Sequence, residues 1–137
     1  GLRLLRHVHD AERTGKPFMT VEQVVHRLTG ELADWYDIDA GHLRIGDRAD
    51  LVVVDPEHLD QSLDDYAESP VPQYADLPRM VNRNDAAVNL VLVGGRTVVR
   101  GGVPTDLLGS ARTGSFLRAG TRTAAPASHE SELVHAG

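Results

Sequence analysis

Two valine-rich runs, Val88–Val93 and Arg96–Arg100, are separated only by Gly94-Gly95. Few folds suit that arrangement. β-Branched residues fit the pleated surface of a sheet. Paired glycines supply positive φ at both central positions of a tight hairpin turn. We therefore predict an antiparallel hairpin of Val88–Val93 with Arg96–Val99. A further run, Asp50-Leu-Val-Val-Val-Asp55, is closed by Pro56 and predicts a buried strand in the same sheet or sandwich. His42-Leu43-Arg44-Ile45 alternates and predicts a short strand between turns at Asp39-Ala40-Gly41 and Gly46-Asp47. Residues 57–86 hold Pro70, Pro72, Pro78 and many carboxylates, which predicts a long loop with at most one short helical turn.

The first third reads differently. Leu2, Leu5 and Val8 recur near helical spacing and predict a helix over residues 2–12, broken by Gly15-Lys16-Pro17. Thr20 has the character of an N-cap, with Gln23 as its capping-box partner and Met19 and Val24 at the staple positions. Val21, Val24, Val25, Leu28 and Leu32 form an apolar stripe, predicting a helix from Val21 to Trp35. Helices followed by strands imply α+β or a cut through two domains. Residues 119–137 are small and polar, which predicts a disordered tail.

Charge and composition exclude several classes. Lys and Arg number 14 against 20 Asp and Glu, a net charge of -6. That disfavours nucleic acid, whose phosphates need a basic surface. Aromatics make up 4% of the chain, too few for base-stacking platforms. There is no cysteine, so disulfides, thiolate metal sites and cysteine nucleophiles are excluded. No apolar run reaches membrane-spanning length, and Gly1–Arg6 is too short for a signal peptide, so the cytoplasm is the expected compartment. The chain opens on Gly1 rather than methionine, which fits a processed, tagged or truncated product.

One segment carries a resemblance. Gly41-His-Leu-Arg-Ile-Gly46-Asp-Arg-Ala49-Asp50-Leu-Val-Val-Val-Asp55 places glycines where the chain turns, a small residue for close packing, and Asp50 where it can accept backbone N–H groups. This stretch resembles the amidohydrolase superfamily signature G-x-L-x-x-G-x-x-A-D-L-V-V followed by Asp. Thr20–Thr29 resembles that family's last barrel helix, although the Pro-Ala pair that usually follows is replaced by Leu32-Ala33. Val88–Val99 resembles its closing hairpin, with Gly94 where Asn is usual. Gly109–Arg118, ending Ser-Phe-Leu-Arg, is similar to the end of the N-acyl-D-amino-acid deacylases, the amidohydrolase 3 branch. The resemblance covers residues 1–118.

It implies an α+β fragment: the last helices of a (β/α)8-type barrel over residues 1–37, then the C-terminal strands of a small β-sandwich over 38–118. The implied parent is a metal-dependent hydrolase of non-peptide C–N bonds, in which a divalent metal, usually zinc, activates water. Its ligands and its aspartate base would lie upstream of Gly1. No residue of this chain matches a catalytic, cofactor-binding or metal position, so none is carried over, and the fragment is read as structural. Its expected partners are the rest of the parent or a second copy through the helix 21–35. The parent's substrate would be an N-acyl amino acid or other small amide. A dihydroorotase-like or hydantoinase-like parent is an alternative, as is a free-standing β-rich binding module with a helical arm.

His7-Val8-His9-Asp10 mimics the family's H-x-H metal motif. On a helix, however, residues two apart point to different sides, so an exposed helix face is expected. His26, His42 and His58 are scattered singly and read as surface or packing residues. Asp60 to Asp65 reads as a solvated acidic face. Trp35 and Tyr36 read as core or interface. Glu130, Glu132, His129 and His135 lie in the expected tail, where nothing preorganises a metal site.

Overall fold

The computed structural model describes residues 1–71, 74–81 and 84–120. All but the first two residues of the expected tail lie outside that range. Of those two, Gly120 donates its N–H to the Asp37 carbonyl at 2.8 Å.

Helix α1 spans Leu2–Arg13, as the leucine spacing predicts. Helix α2 spans Val21–Leu28 and opens on the predicted capping box. The Gln23 N–H donates to Thr20 Oγ1 at 3.2 Å, and the Thr20 N–H donates to Gln23 Oε1 at 3.0 Å. Such a cap is worth about 1 kcal/mol. The predicted helix over 21–35 is in fact two. Thr29 leaves helical geometry at φ -124 and ψ -84, and α3 resumes over Gly30–Trp35. The apolar stripe is accordingly divided: Val24 is fully buried, Val21 and Leu28 are half-buried, and Val25 and Leu32 face solvent.

Six strands follow among the described residues: β1 (Leu51–Val54), β2 (Glu68–Val71), β3 (Leu77–Met80), β4 (Val88–Val93), β5 (Arg96–Arg100) and β6 (Val103–Pro104). Four form one sheet in the order β1-β4-β5-β6. The predicted hairpin is β4–β5, turning at Gly94 and Gly95 with φ of 57 and 75, and β1 joins the same sheet. His42–Ile45 is not a strand. No partner pairs with it, and Leu43 and Ile45 are exposed. Nor is β1 the fully buried strand expected, since it lies at the sheet edge with Val52 59% and Val53 48% exposed.

Among its described residues, the expected loop over 57–86 carries the 3-10 turn Gln61–Asp64, overlaps the turn Pro56–His58, and contains the separate hairpin β2–β3. Pro70 pairs directly with Pro78. Proline cannot donate to a ladder, but a two-stranded ribbon has only edge strands, where proline is tolerated.

The barrel-and-sandwich reading of residues 1–118 is overturned. A barrel contributes parallel strands alternating with helices, yet every strand pairing among the described residues is antiparallel. A sandwich needs two facing sheets, and here a lone ribbon accompanies one four-stranded sheet. The helices belong to the same unit as the strands. Leu2 and Leu5 of α1 pack with Val54 of β1 against buried Leu59, Leu63 and Ala87.

Arg6 fastens that packing. Its guanidinium, almost wholly buried, donates to Asp64 Oδ2 at 2.7 Å and to the Asp60 carbonyl at 2.9 Å. Arg3 reaches Asp64 Oδ1 at 2.8 Å. The acidic run 60–65 is therefore not simply a solvated face. Asp64 anchors α1, and Asp60 caps the second 3-10 turn.

Asp50 does what its position before the strand suggests. The Gly94 N–H donates to Asp50 Oδ1 at 2.6 Å, and the Gly95 N–H to the Ala49 carbonyl at 2.9 Å. The segment entering β1 thus holds the turn of the β4–β5 hairpin. The Gly94 amide keeps the Asp50 carboxyl below its ordinary range, opposed by slight burial and assisted by Arg48. A carboxyl with a lowered folded pKa stabilises above its unfolded value, and that contribution is lost as pH falls through the folded value. Asp64, held down chiefly by Arg6, acts in the same direction. Stability is therefore expected to be flat near neutrality and to fall once pH drops below about 4. Asp50→Ala should cost roughly 1 kcal/mol at neutral pH, because water still reaches the site. Asp50→Asn should cost less, since its amide oxygen still accepts a hydrogen bond, and should shrink the acid limb. Urea melts across pH measure both. An acid limb unchanged in Asp50→Asn would remove Asp50 from this account.

Candidate functional site

A cleft of about 560 Å³ opens where the C-terminal half of α1 faces the two 3-10 turns. Its size falls within the usual range for small-molecule sites. Helix α1 contributes His9, Asp10 and Arg13. The opposite wall is Pro56, Glu57, Leu59, Asp60 and Gln61. The wall is held locally. Asp55 accepts the Glu57 N–H at 3.0 Å, and Asp60 accepts the Ser62 N–H at 2.8 Å. Each bond fastens the start of a 3-10 turn. The Glu57 amide, then His58, holds the Asp55 carboxyl below its ordinary range, and Ser62 does the same for Asp60.

His9 is the chemically distinctive group. Its Nδ1 is buried and makes no hydrogen bond. A buried polar atom without a partner costs free energy unless a ligand or water satisfies it. The sequence reading placed His7 and His9 together on an exposed helix face. His7 is exposed, but His9 is half-buried. The signal was present, since His9 lies four residues beyond Leu5 and so shares its inward face. The wall from residues 56–61 lies about fifty positions along the chain, and no local pattern pairs it with α1.

The cleft is lined by three carboxylates, Asp10, Glu57 and Asp60, and by the His9 imidazole, and Arg13 approaches Asp10 at 4.0 Å. Its polar lining suits a small polar ligand. Among the described residues, its lining includes no serine or threonine. Elsewhere, His58 Nδ1 lies 3.0 Å from Asp55 Oδ2, and His42 Nε2 lies 2.9 Å from Asp34 Oδ1. His26 and His42, separate in sequence, both approach Gly30. Among the described residues, no three His, Cys, Asp or Glu side chains gather as a metal site would require. No helix of the described residues is long and apolar enough to cross a membrane.

No protein-family model matches the chain. It is 54% identical over 130 residues, 91% of its length, to proteins of Mycobacterium bovis and Mycobacterium tuberculosis, each named only as an uncharacterised protein. The match covers 21% of each relative, so the chain spans about a fifth of the length of the curated proteins it resembles. No solved structure matches it.

Proposed function

We propose that the chain is a non-catalytic, bracing part of a longer cytoplasmic hydrolase acting on non-peptide C–N bonds, with N-acyl amino acids as the substrate class. The segment 41–55 carries this reading. Its resemblance to the amidohydrolase signature coincides with a physical device, the Ala49-Asp50 clasp on the Gly94-Gly95 turn. The relatives' greater length supports it, because a longer chain has room for a catalytic centre elsewhere.

The reading implies a divalent metal, zinc, for the longer protein. The residues described here do not fit one, since no three His, Cys, Asp or Glu side chains among them converge closely enough to share an ion. No chemical step is therefore assigned to this chain. Its contribution would be positional, holding the walls of a distant site at a fixed geometry.

The test uses the full-length Mycobacterium tuberculosis relative, supplied with zinc and offered N-acyl-D-amino acids, N-acyl-L-amino acids and cyclic amides, with amine or ring-opened product as readout. Hydrolysis of at least one class, abolished by a chelator and absent from the 137-residue chain alone, is expected. A folded, metal-supplied relative that cleaves none of these would sink the proposal.

A further inference from the structure

The four-stranded sheet has an apolar row that the described residues leave open. Val52 pairs with Val91, Val91 with Val99, and Val99 with Pro104. Residues paired across strands point to the same face, so the row crosses the whole sheet without a charge. None of the four is buried: Val52 is 59% exposed, Val91 and Val99 are half-buried, and Pro104 is exposed. The neighbouring row on the opposite face runs Val53, Leu90, Arg100, Val103 and is broken by an arginine. Scattered apolar residues are ordinary on a surface, whereas a contiguous row marks an interface. β1 adds an open edge, whose unpaired backbone groups also invite a partner.

We infer that the face bearing Val52, Val91, Val99 and Pro104 is a docking surface whose occupant is the polypeptide that the mycobacterial relatives carry beyond the aligned segment. That extra chain is about four-fifths of their length, since the match covers 21%, so a covering layer is available in the same molecule. The inference rests on reading this chain as part of a longer protein, but not on the chemistry that protein performs. It also moves the expected contact from the helical stripe to the sheet, because Val24, at the centre of the stripe, is already covered.

The chain has no cysteine, so one introduced thiol reports one position. Val52→Cys, Val103→Cys and Val98→Cys are compared in the 137-residue chain and in a full-length relative whose aligned segment is replaced by it. Maleimide labelling is read by peptide mass. Val98 is buried, at 3% exposure, so its variant should be unreactive in both forms, which verifies folding. Val103 is 63% exposed, and its variant should label in both. Val52→Cys should label freely in the short chain and about tenfold or more slowly in the long one. Equal labelling of Val52→Cys in both would overturn the inference. So would protection that appears in the short chain as its concentration rises, which would make a second copy the occupant. Labelling is read without activity, so protection in an inactive full-length protein would sink the hydrolase reading and leave this one standing.

Discussion

Val24→Asp is expected to abolish cooperative folding. Val24 on α2 and Val8 on α1 are the largest fully buried side chains, each at 0% exposure, and α1 packs against α2. Replacing Val24 forfeits about 1.5–3 kcal/mol of apolar burial. It also places a carboxylate at a fully buried position, a cost of several kcal/mol more even after its pKa rises. The sum is comparable to the net stability of a small domain, about 5–15 kcal/mol. Val25→Asp is the control, because that neighbour is 46% exposed. It should alter stability by no more than about 0.5 kcal/mol. Far-UV circular dichroism on heating measures both. A Val24→Asp chain that melts like the parent would show that α2 does not pack as described.

These two valines show what periodicity can and cannot specify. The stripe Val21, Val24, Val25, Leu28 and Leu32 was visible as a repeat, and the capping box placed its start. The repeat runs straight through Thr29, where the backbone leaves helical geometry, so the break into α2 and α3 was not legible. The strands divide the same way. The β4–β5 hairpin was legible because its turn requires two positive-φ residues and has two glycines. β2 and β3 were not, because Pro70 and Pro78 argue against strands unless the ribbon is known to be isolated. His42–Ile45 had strand-like alternation and no partner, and alternation without pairing does not make a strand.

The candidate cleft was legible on one wall only. His9 falls on the inward face of α1 by simple spacing, yet its H-x-H motif pairs it with the exposed His7. The far wall depends on Arg6 bonding Asp64 and the Asp60 carbonyl, a contact across more than fifty residues. The same contact undoes the barrel-and-sandwich division. It ties α1 to the turns that follow β1, where the division would have put the helices against another layer.

Gly41→Ala is expected to be nearly as damaging, and it examines the 41–55 segment directly. Gly41 has a φ of 78, and a Cβ there would lie 2.7 Å from both the carbonyl carbon and oxygen of Thr29 and 3.0 Å from Ala33 Cβ. Thr29 is the junction of α2 and α3, and its Oγ1 donates to the Val25 carbonyl at 2.7 Å. The obstacle is therefore mostly backbone, which cannot step aside as a long side chain would. Conformational strain of about 1–3 kcal/mol adds to a clash costing about as much again, for a total on the order of 2–6 kcal/mol. Gly46→Ala separates the two terms. Gly46 has a φ of 94, but nothing lies within 4 Å of its virtual Cβ, so only the conformational cost applies, about 1–3 kcal/mol. At roughly 3–5 °C per kcal/mol for a chain of this size, the clash of about 1–3 kcal/mol should make the Gly41 variant melt about 3–15 °C below the Gly46 variant. Equal melting temperatures would mean that Gly41 serves only its turn. If the predicted gap appears, this glycine does two jobs: it turns the chain toward β1, and it lets the backbone pass against the break between the helices.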